Sequence, residues 1–290
     1  MSSVPLTQLA RVPDPVVMGV VNVTPDSFSD GGRWLDPEKA IAHARRLVTD
    51  GAAILDIGGE STRPGANPVA ADEQLRRIVP VFEGLQGVEA RLSIDTTKAS
   101  VARAAIEAGA DIVNDVTALR DDPDLAGLCA ERGVNVCLMH MLGEPRTMQD
   151  DPHYDDVVDD IKAFLVERLE HAVAAGIAED KVWLDPGIGF GKTIDHNLAL
   201  LGRLDELVAI GRPIVVGTSR KGFIGRISGE EIEGRVPGTI ATNVIALGNG
   251  AEVFRVHDVA AVAQALDVAA ATFRGQWTGA TTTSTTSTTR

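Results

Sequence analysis

The sequence predicts an α/β protein, a (β/α)8 TIM barrel formed by a single domain. Short runs rich in β-branched residues alternate with longer segments of helical period, which is typical of a parallel sheet with crossover helices. Eight such pairs can be counted, and polar residues end nearly every apolar run, as expected where a barrel carries an active site. A chain of 290 residues, of which 44% are hydrophobic, can bury one core of this size.

The eight predicted strands are the apolar, β-branched runs, at residues 16–22, 54–59, 92–96, 112–116, 136–140, 182–187, 213–219 and 252–257. The helices between them are expected to begin where Asp, Pro or another suitable residue precedes a segment of helical period. These starts lie near Asp36, Ala70, Lys98, Asp122, Asp155, Asp195, Pro237 and Val259.

A glycine follows several predicted helices, directly before the next strand. Glycine readily adopts the left-handed conformation that ends many helices. Repeated β/α units with right-handed crossovers then favour a closed barrel. An open doubly wound sheet is the alternative, but no GxGxxG loop follows the first strand. The glycines are Gly51, Gly109, Gly133, Gly176, Gly211 and Gly250.

Composition restricts the partners and the compartment. The net charge of −14 disfavours nucleic acid and anionic membranes, both of which attract basic surfaces. Cys129 and Cys137 lie in apolar surroundings without zinc-like spacing, so we expect buried thiols and a cytoplasmic protein. Residues 1–15 are expected to form a leader, 16–277 the catalytic barrel, and the Thr/Ser-rich 278–290 a disordered tail.

Polar residues follow the predicted strands in a joint pattern that indicates an active site. Any one of them could be a helix cap or a satisfied buried group, but their recurrence at successive strand ends is typical of a barrel enzyme. His140 is expected to orient other groups rather than to act directly. The strand-end residues are Asn22, Glu60, Ser61, Thr62, Arg63, Asp95, Thr96, Asn114, Asp115, His140, Asp185, Ser219, Arg220, Lys221, Arg255 and His257.

Cationic residues follow the seventh and eighth strands, where barrels often hold phosphate. Lys221 and Arg255, with His257 nearby, would suit a multiply charged phosphate in an otherwise acidic protein. Arg220 taken alone is expected to pair with an acidic neighbour.

Carboxylate and amide groups end the third, fourth and sixth strands. Asp95 and Asp185 could each accept two parallel hydrogen bonds from an amidine-like edge, and the Asn114 amide could match a neighbouring donor and acceptor. This set predicts a flat, nitrogen-rich heterocycle as ligand. The alternative is that the carboxylates pair with Lys221 or Arg63 within the protein.

Motifs along the chain resemble those of the dihydropteroate synthase family from Val16 to about Arg274. The first two are GVVNVTPDSFSDGG at 19–32 and DIGGESTRPG at 56–65. The others are SIDT at 93–96, Asn114-Asp115, LMHM at 138–141, DPGIGFGK at 185–192, SRK at 219–221 and RVH at 255–257.

The resemblance implies that the amine of 4-aminobenzoate displaces pyrophosphate from 6-hydroxymethyl-7,8-dihydropterin diphosphate, assisted by Mg²⁺, to give 7,8-dihydropteroate. Asp95, Asp185, Lys221 and Asn22 would serve catalysis, with Asn22 on the metal side. The pterin would contact Asp95, Asn114, Met139, Asp185 and Lys221. The pyrophosphate would contact Asn22, Thr62, Arg63, Arg255 and His257. The aminobenzoate would contact Phe28, Arg63, Pro64, Phe190, Ser219 and Lys221.

Three rival functions differ from this one in sequence features. A barrel that transfers methyl groups from methyltetrahydrofolate would not be expected to combine the loop at 61–65 with the motifs at 219–221 and 255–257. A catalytically silent pterin-binding paralogue would be expected to have lost substrate-contacting residue types, and this chain keeps them. A metal-dependent hydrolase is disfavoured because the first strand ends in Asn22 rather than in a His-x-His pair.

The resemblance also implies a homodimer formed through the last helices. Residues 189–192 carry no insertion that would screen sulfonamides from the aminobenzoate site. We therefore expect sulfonamide sensitivity.

Overall fold

The strands of the computed structural model pair in parallel to form the predicted barrel. The structure describes residues 12–24, 36–61 and 66–276. The strands are β1 (Val16–Asn22), β2 (Ile54–Gly58), β3 (Arg91–Asp95), β4 (Ile112–Asp115), β5 (Asn135–Met139), β6 (Val182–Asp185), β7 (Val215–Val216) and β8 (Val253–Val256). Their order in the sheet is β6-β5-β4-β3-β2-β1-β8-β7.

A narrow seam between β6 and β7 completes the barrel. An isolated parallel bridge joins Leu184 to Ile214, and the Leu184 amide donates to the Pro213 carbonyl over 2.9 Å. Strand β7 is shorter than the predicted 213–219 because the chain turns after it, where the Lys221 amide donates to the Thr218 carbonyl over 3.1 Å. The predicted barrel is confirmed, with a short seventh strand.

Helices follow the strands in alternation and begin close to the predicted positions. Asp36 and Asp122 cap their helices through side-chain oxygens. Asp156, rather than Asp155, caps the helix after β5. The helices are α1 (Pro37–Thr49), α2 (Ala71–Gly84), α3 (Ala99–Glu107), α4 (Pro123–Arg132), α5 (Val157–Ala174), α6 (Ile194–Gly202), α7 (Asp205–Val208), α8 (Gly222–Ser228), α9 (Val236–Gly248) and α10 (Val259–Arg274).

One of these helices was not predicted, one predicted helix is divided in two, and two helices begin one residue earlier than expected. Helix α8 lies between the predicted seventh strand and the helix expected near Pro237. The helix expected from near Asp195 to Gly211 is divided into α6 and the short α7. Helix α6 begins at Ile194 because Thr193 and His196 form a capping box. Helix α9 begins at Val236, one residue before Pro237.

The glycines predicted to end helices all have positive φ. Gly133 illustrates the reason, since it closes α4 with φ 63° in the left-handed region that side chains disfavour. No helix in the described part of the chain is both long and apolar enough to cross a membrane.

The barrel interior is filled at its amino-terminal end by an apolar plug. Its side chains come from one inward-facing position on nearly every strand, which is how barrel cores are layered. The larger core lies between the strands and the surrounding helices. The plug consists of Met18, Ile54, Ile112, Cys137, Trp183, Val215 and Val253.

Candidate active site

A polar layer lies directly above the apolar plug. Successive side chains of a strand point to opposite faces, so the residue two positions after each plug residue faces the interior again. At that level the barrel changes from apolar to polar, because four of these seven residues carry hydrogen-bonding side chains. They are Val20, Asp56, Asn114, Met139, Asp185, Gly217 and Arg255.

A cavity of about 970 Å³ opens above this layer at the carboxyl ends of the strands. Its lining includes every described residue that was assigned to catalysis, to a substrate or to the metal, whereas Thr96, Asp115 and His140 of the strand-end set lie outside the lining. Phe28, Thr62, Arg63 and Pro64 lie outside the described residues. The residues brought together are Asn22, Asp95, Asn114, Met139, Asp185, Phe190, Ser219, Lys221, Arg255 and His257.

Asp56 organises the floor of the cavity, although the sequence analysis did not select it as a site residue. It is fully buried on β2. Its carboxylate accepts hydrogen bonds from Ser93 Oγ over 2.6 Å, Asn114 Nδ2 over 3.0 Å and Arg255 Nε over 2.6 Å. With three donors bound, Asp56 orients the Asn114 amide and the Arg255 guanidinium. The available sequence signal was a charged residue between Leu55 and Ile57 in the middle of a strand.

Arg255 bridges two carboxylates. Besides Asp56, its Nη2 donates to Asp95 Oδ2 over 2.8 Å. Among the described residues, the internal partner of Asp95 is therefore Arg255 rather than Lys221. Arg63, the other partner considered from the sequence, lies outside the described residues. Burial raises the pKa of Asp95 to about 7, although the Arg255 charge opposes the shift.

Asp185 and Lys221 form the opposite wall. Asp185 Oδ1 accepts from the Gly187 amide over 2.7 Å, and burial raises the pKa of this carboxyl while Lys221 opposes the rise. Burial lowers the pKa of Lys221 to about 8, and Asp185 counters that shift. Lys221 Nζ donates to the Ile188 carbonyl and lies 4.5 Å from the ring centroid of Phe190. Lys221 thus links the polar layer to the Phe190 ring.

The segment after β7 directs neighbouring side chains to different partners. Ser219 Oγ accepts from the His257 amide over 3.1 Å and lies 2.9 Å from His257 Nδ1. Arg220 donates through Nε to Asp258 over 2.8 Å. The prediction that Arg220 pairs with an acidic neighbour is confirmed.

Asn22 ends β1 at the cavity wall, half-buried. In the described ranges, no three His, Cys, Asp or Glu side chains lie close enough to hold a metal ion. Asn22 can offer one amide oxygen. That donor suits Mg²⁺, which commonly takes few protein oxygens and keeps waters and substrate phosphates as its other ligands.

The chain segment that joins β2 to α2 contributes Glu60 to the cavity wall. Glu60 lines the cavity and accepts from the Val69 amide and from Gln74 Nε2, each over 2.7 Å. These bonds anchor the start of α2 beside the cavity. Lys98 Nζ lies 4.0 Å from the same carboxylate.

His140 lies behind the cavity wall. Its Nδ1 is 2.9 Å from Nζ of Lys192, which does line the cavity. Burial lowers the pKa of His140 to about 2, so the imidazole is neutral. This placement favours the predicted orienting role, which stays a prediction.

Comparisons with known proteins identify the family to which this chain belongs. The model of the pterin binding enzyme family matches residues 18–257. Over 259 residues the chain is 46% identical to the dihydropteroate synthase of Escherichia coli strain K12, an alignment that covers 89% of this chain and 92% of that protein. The chain belongs to the dihydropteroate synthase family of pterin-binding enzymes. The family resemblance read from the motifs is confirmed.

Solved structures of this family share the fold over nearly the whole chain. A Yersinia pestis dihydropteroate synthase with a sulfonamide drug complex has a TM-score of 0.87 at 45% identity and covers 93% of this chain and 96% of its own. A Xanthomonas albilineans dihydropteroate synthase in complex with 7,8-dihydropteroate has a TM-score of 0.79 at 46% identity, covering 89% and 93%. The (β/α)8 barrel is therefore the fold of the family as well as of this chain.

Proposed function

We propose that this protein is a dihydropteroate synthase, joining 4-aminobenzoate to 6-hydroxymethyl-7,8-dihydropterin diphosphate with release of pyrophosphate. One observation carries the proposal: the carboxylates of Asp95 and Asp185 and the amide of Asn114 line one cavity with Lys221. The product-bound relative from Xanthomonas albilineans supports it, since dihydropteroate contains both the pterin and the aminobenzoate.

The pterin would bind in the polar layer, with Met139 beside it. Asp185 would accept hydrogen bonds from the amidine-like edge of the ring. Because Asn114 donates through Nδ2 to Asp56, its amide oxygen is turned away from that carboxylate and can accept from a ring N–H. Arg255 holds Asp95 through Oδ2, and Lys221 would complete the set.

The pyrophosphate would lie toward Asn22, Arg255 and His257, with Thr62 and Arg63 as further proposed contacts. The amide oxygen of Asn22 would hold Mg²⁺ together with pyrophosphate oxygens and waters. When bound, the ion would supply neutralising charge to the leaving group. Arg255 and Lys221 would add fixed positive charge within an acidic protein.

The aminobenzoate would lie beside Phe190, Ser219 and Lys221, with Phe28, Arg63 and Pro64 completing the pocket. Ser219 Oγ and Lys221 Nζ are polar groups able to meet a carboxylate, and the Phe190 ring can cover the benzene ring. The Yersinia relative carries a sulfonamide drug, so we propose that sulfonamides inhibit this protein at the same place.

The chemical step would be a displacement at the methylene carbon of the pterin. The carbon–oxygen bond to the diphosphate breaks, and its electron pair leaves with pyrophosphate. The amine nitrogen forms the new carbon–nitrogen bond and then releases a proton. Asp95 and Asp185, as carboxylates, would stabilise positive charge that develops on the pterin as pyrophosphate departs.

The deciding experiment incubates the purified protein with the pterin diphosphate, 4-aminobenzoate and Mg²⁺. We expect 7,8-dihydropteroate and pyrophosphate in equal amounts. Tight pterin binding without product would instead identify a silent paralogue. Transfer of a methyl group from methyltetrahydrofolate to a corrinoid protein would identify the methyltransferase alternative.

Assembly and compartment follow as further parts of the proposal. A homodimer through the last helices, α9 and α10, would be tested by sedimentation of the purified protein. The buried thiols of Cys129 and Cys137 are compatible with a cytoplasmic protein, because thiols persist in a reducing compartment.

A further inference from the structure

The loop between β6 and α6, residues 186–191, is held by side chains rather than by a sheet or helix. Gly187, Gly189 and Gly191 all have positive φ there, a backbone shape that no regular element provides. Four successive carbonyls instead accept hydrogen bonds from side-chain donors. The pairs are Ile188 with Lys221, Gly189 with Gln149 (2.6 Å), Phe190 with Lys192 (2.9 Å) and Gly191 with Tyr154 (2.7 Å).

Lys192 is the most unusual of these donors because its amine is buried. The residue is 3% exposed, and within the described chain no carboxylate forms a salt bridge with it. Nζ instead lies 2.9 Å from the Phe190 carbonyl and 2.9 Å from His140 Nδ1. A lysine amine without a carboxylate partner is costly to bury. We therefore take its contacts with the Phe190 carbonyl and His140 Nδ1 as the interactions that hold this part of the loop in position.

His140 provides a rigid support for that amine. Its backbone amide donates to the Asp185 carbonyl over 3.0 Å, and its ring packs edge-on against Phe164 at 4.8 Å between centroids. A methyl group at Gly187 would lie 1.9 Å from the His140 carbonyl oxygen. The loop therefore packs directly against the chain that carries His140.

Phe190 is the residue that this arrangement places. Lys192 holds its carbonyl from behind, and Lys221 Nζ lies 4.5 Å from the centroid of its ring on the cavity side. The ring also packs against the cluster of Val116, Met139, Met141 and Met148. Lys192 thus holds the main chain of Phe190, while Lys221 and this cluster contact its ring. Because the ring is attached to that main chain, loss of the Lys192 contact would let both shift within the cavity wall.

We propose that Lys192, supported by His140, is a positioning residue that fixes the main chain of Phe190 and thereby shapes the aminobenzoate site. The inference rests on the proposed function, which assigns Phe190 to the aminobenzoate. Lys192 itself is not proposed to touch either substrate. The pterin contacts on β3 and β4 do not depend on this loop.

Loss of the amine is expected to weaken aminobenzoate binding selectively. In Lys192→Met, whose unbranched side chain ends one heavy atom earlier and has no N–H donor, the KM for 4-aminobenzoate should rise about tenfold, the equivalent of one lost hydrogen bond to a partly buried carbonyl. The KM for the pterin diphosphate and kcat at saturating substrates should change less than about twofold. Lys192→Gln retains an N–H donor on a shorter side chain. Its KM for 4-aminobenzoate should therefore lie between the values of the unaltered protein and of Lys192→Met.

Two control variants separate this role from general destabilisation. Lys39→Met makes the same replacement on the exposed surface of α1 and should leave both KM values unchanged. His140→Phe keeps an aromatic ring but removes the acceptor. If Lys192 acts through His140, the double variant should raise the KM for 4-aminobenzoate no further than the stronger single variant.

Hydrogen exchange tests the positioning without relying on turnover. The amides of residues 187–191 should exchange faster in Lys192→Met than in the unaltered protein, with β3 and β4 unchanged. Failure of the unaltered protein to form dihydropteroate would refute the proposed function and the aminobenzoate part of this inference. Unchanged loop exchange, or an equal rise of both KM values, would overturn the inference even in an active enzyme.

Discussion

At the scale of single residues, the site depends on shared hydrogen bonds between buried charges. Asp56 and Asp95 both hold the Arg255 guanidinium, so three charged groups neutralise one another in part before any ligand binds. Such a set costs less to bury than isolated ions, because each charge has a partner with good geometry. Asp185 instead receives a backbone amide and the field of Lys221. The two carboxylates assigned to the pterin therefore differ in their surroundings.

Replacing Asp95 by Asn should lower turnover by roughly 10²–10³-fold, the effect typical of removing a group that stabilises transition-state charge. The side chain keeps its size, so the barrel should remain folded. Steady-state kinetics and circular dichroism of the variant check both points. Asp124→Asn on the exposed first turn of α4 is the matched control, and a near-normal rate in Asp95→Asn would reject the assigned role.

The raised pKa of Asp95, about 7, predicts pH-dependent pterin binding. Below that pKa the carboxyl is protonated and no longer accepts from a pterin N–H as a carboxylate, so affinity should fall as pH decreases. Above it the carboxylate is charged and affinity should level off. Calorimetry with 6-hydroxymethyl-7,8-dihydropterin avoids the titration of the diphosphate. Asp95→Asn should show a weaker dependence, with the part due to Asp185 remaining because burial raises its pKa as well; a flat affinity in the unaltered protein would contradict the prediction.

At the scale of elements, the loops and helix starts that follow the strands along the chain hold the site residues in place. The loop at 186–191 is fixed by side chains from the segment between β5 and α5, from Lys192 directly after the loop and from Lys221 before α8, as described above. Helix starts are fixed by similar local contacts. Asp122 accepts from the Asp124 amide over 3.0 Å and from the Ala99 amide over 2.8 Å, so one carboxylate serves the first turns of both α3 and α4.

Asp122→Ala should reduce the free energy of unfolding by about 1–2 kcal/mol, the usual effect of removing a helix cap, with the upper value favoured because two helices lose an acceptor. Chemical denaturation measures this change. The exposed Asp150→Ala is the control and should be nearly neutral. Substrate KM values should not change in either variant. An unaltered midpoint in Asp122→Ala would show that neither helix start depends on the carboxylate.

At the scale of the whole molecule, the barrel closes between β6 and β7, where the fewest hydrogen bonds join neighbouring strands. This seam lies beside the proposed substrate site. Strands β6 and β7 meet only through the Leu184–Ile214 bridge and its flanking hydrogen bond. Asp185 follows one side of the seam and Lys221 follows the other. A ligand that contacts both residues would therefore bridge the seam. Lys192, Lys221 and Arg255 also line the cavity at this end of the acidic chain, where an anionic substrate would be drawn.

The seam should open more readily than the rest of the barrel. We expect the Leu184 amide to exchange with solvent faster than the amides of β2, because fewer ladder hydrogen bonds must break for local opening. The pterin diphosphate should slow exchange at Leu184 more than in β2. Native-state hydrogen exchange with and without ligand measures both effects. Equal rates at the seam and in β2 in the free protein would contradict the prediction.

The sequence by itself determined the barrel, most of its element bounds and the strand-end residues of the cavity lining. These follow from local rules: the alternation of side chains along strands, the start and end signals of helices, and the meeting of parallel strand ends at one face. Asn22, Asp95 and Asp185 could therefore be selected from their strand positions. The roles of Thr62, Arg63, Pro64 and Phe28 stay predictions, since they lie outside the described residues.

Only the tertiary structure decided which charged groups meet. Arg255 is 199 residues from Asp56 and 160 residues from Asp95 along the chain, and it reaches both because the closed barrel brings β8, β2 and β3 to one interior. The burial of Lys192 against His140 likewise depends on how one loop folds over the end of another strand. Such contacts depend on strand register and side-chain conformation across the whole barrel, whereas strand ends and helix caps are specified by neighbouring residues.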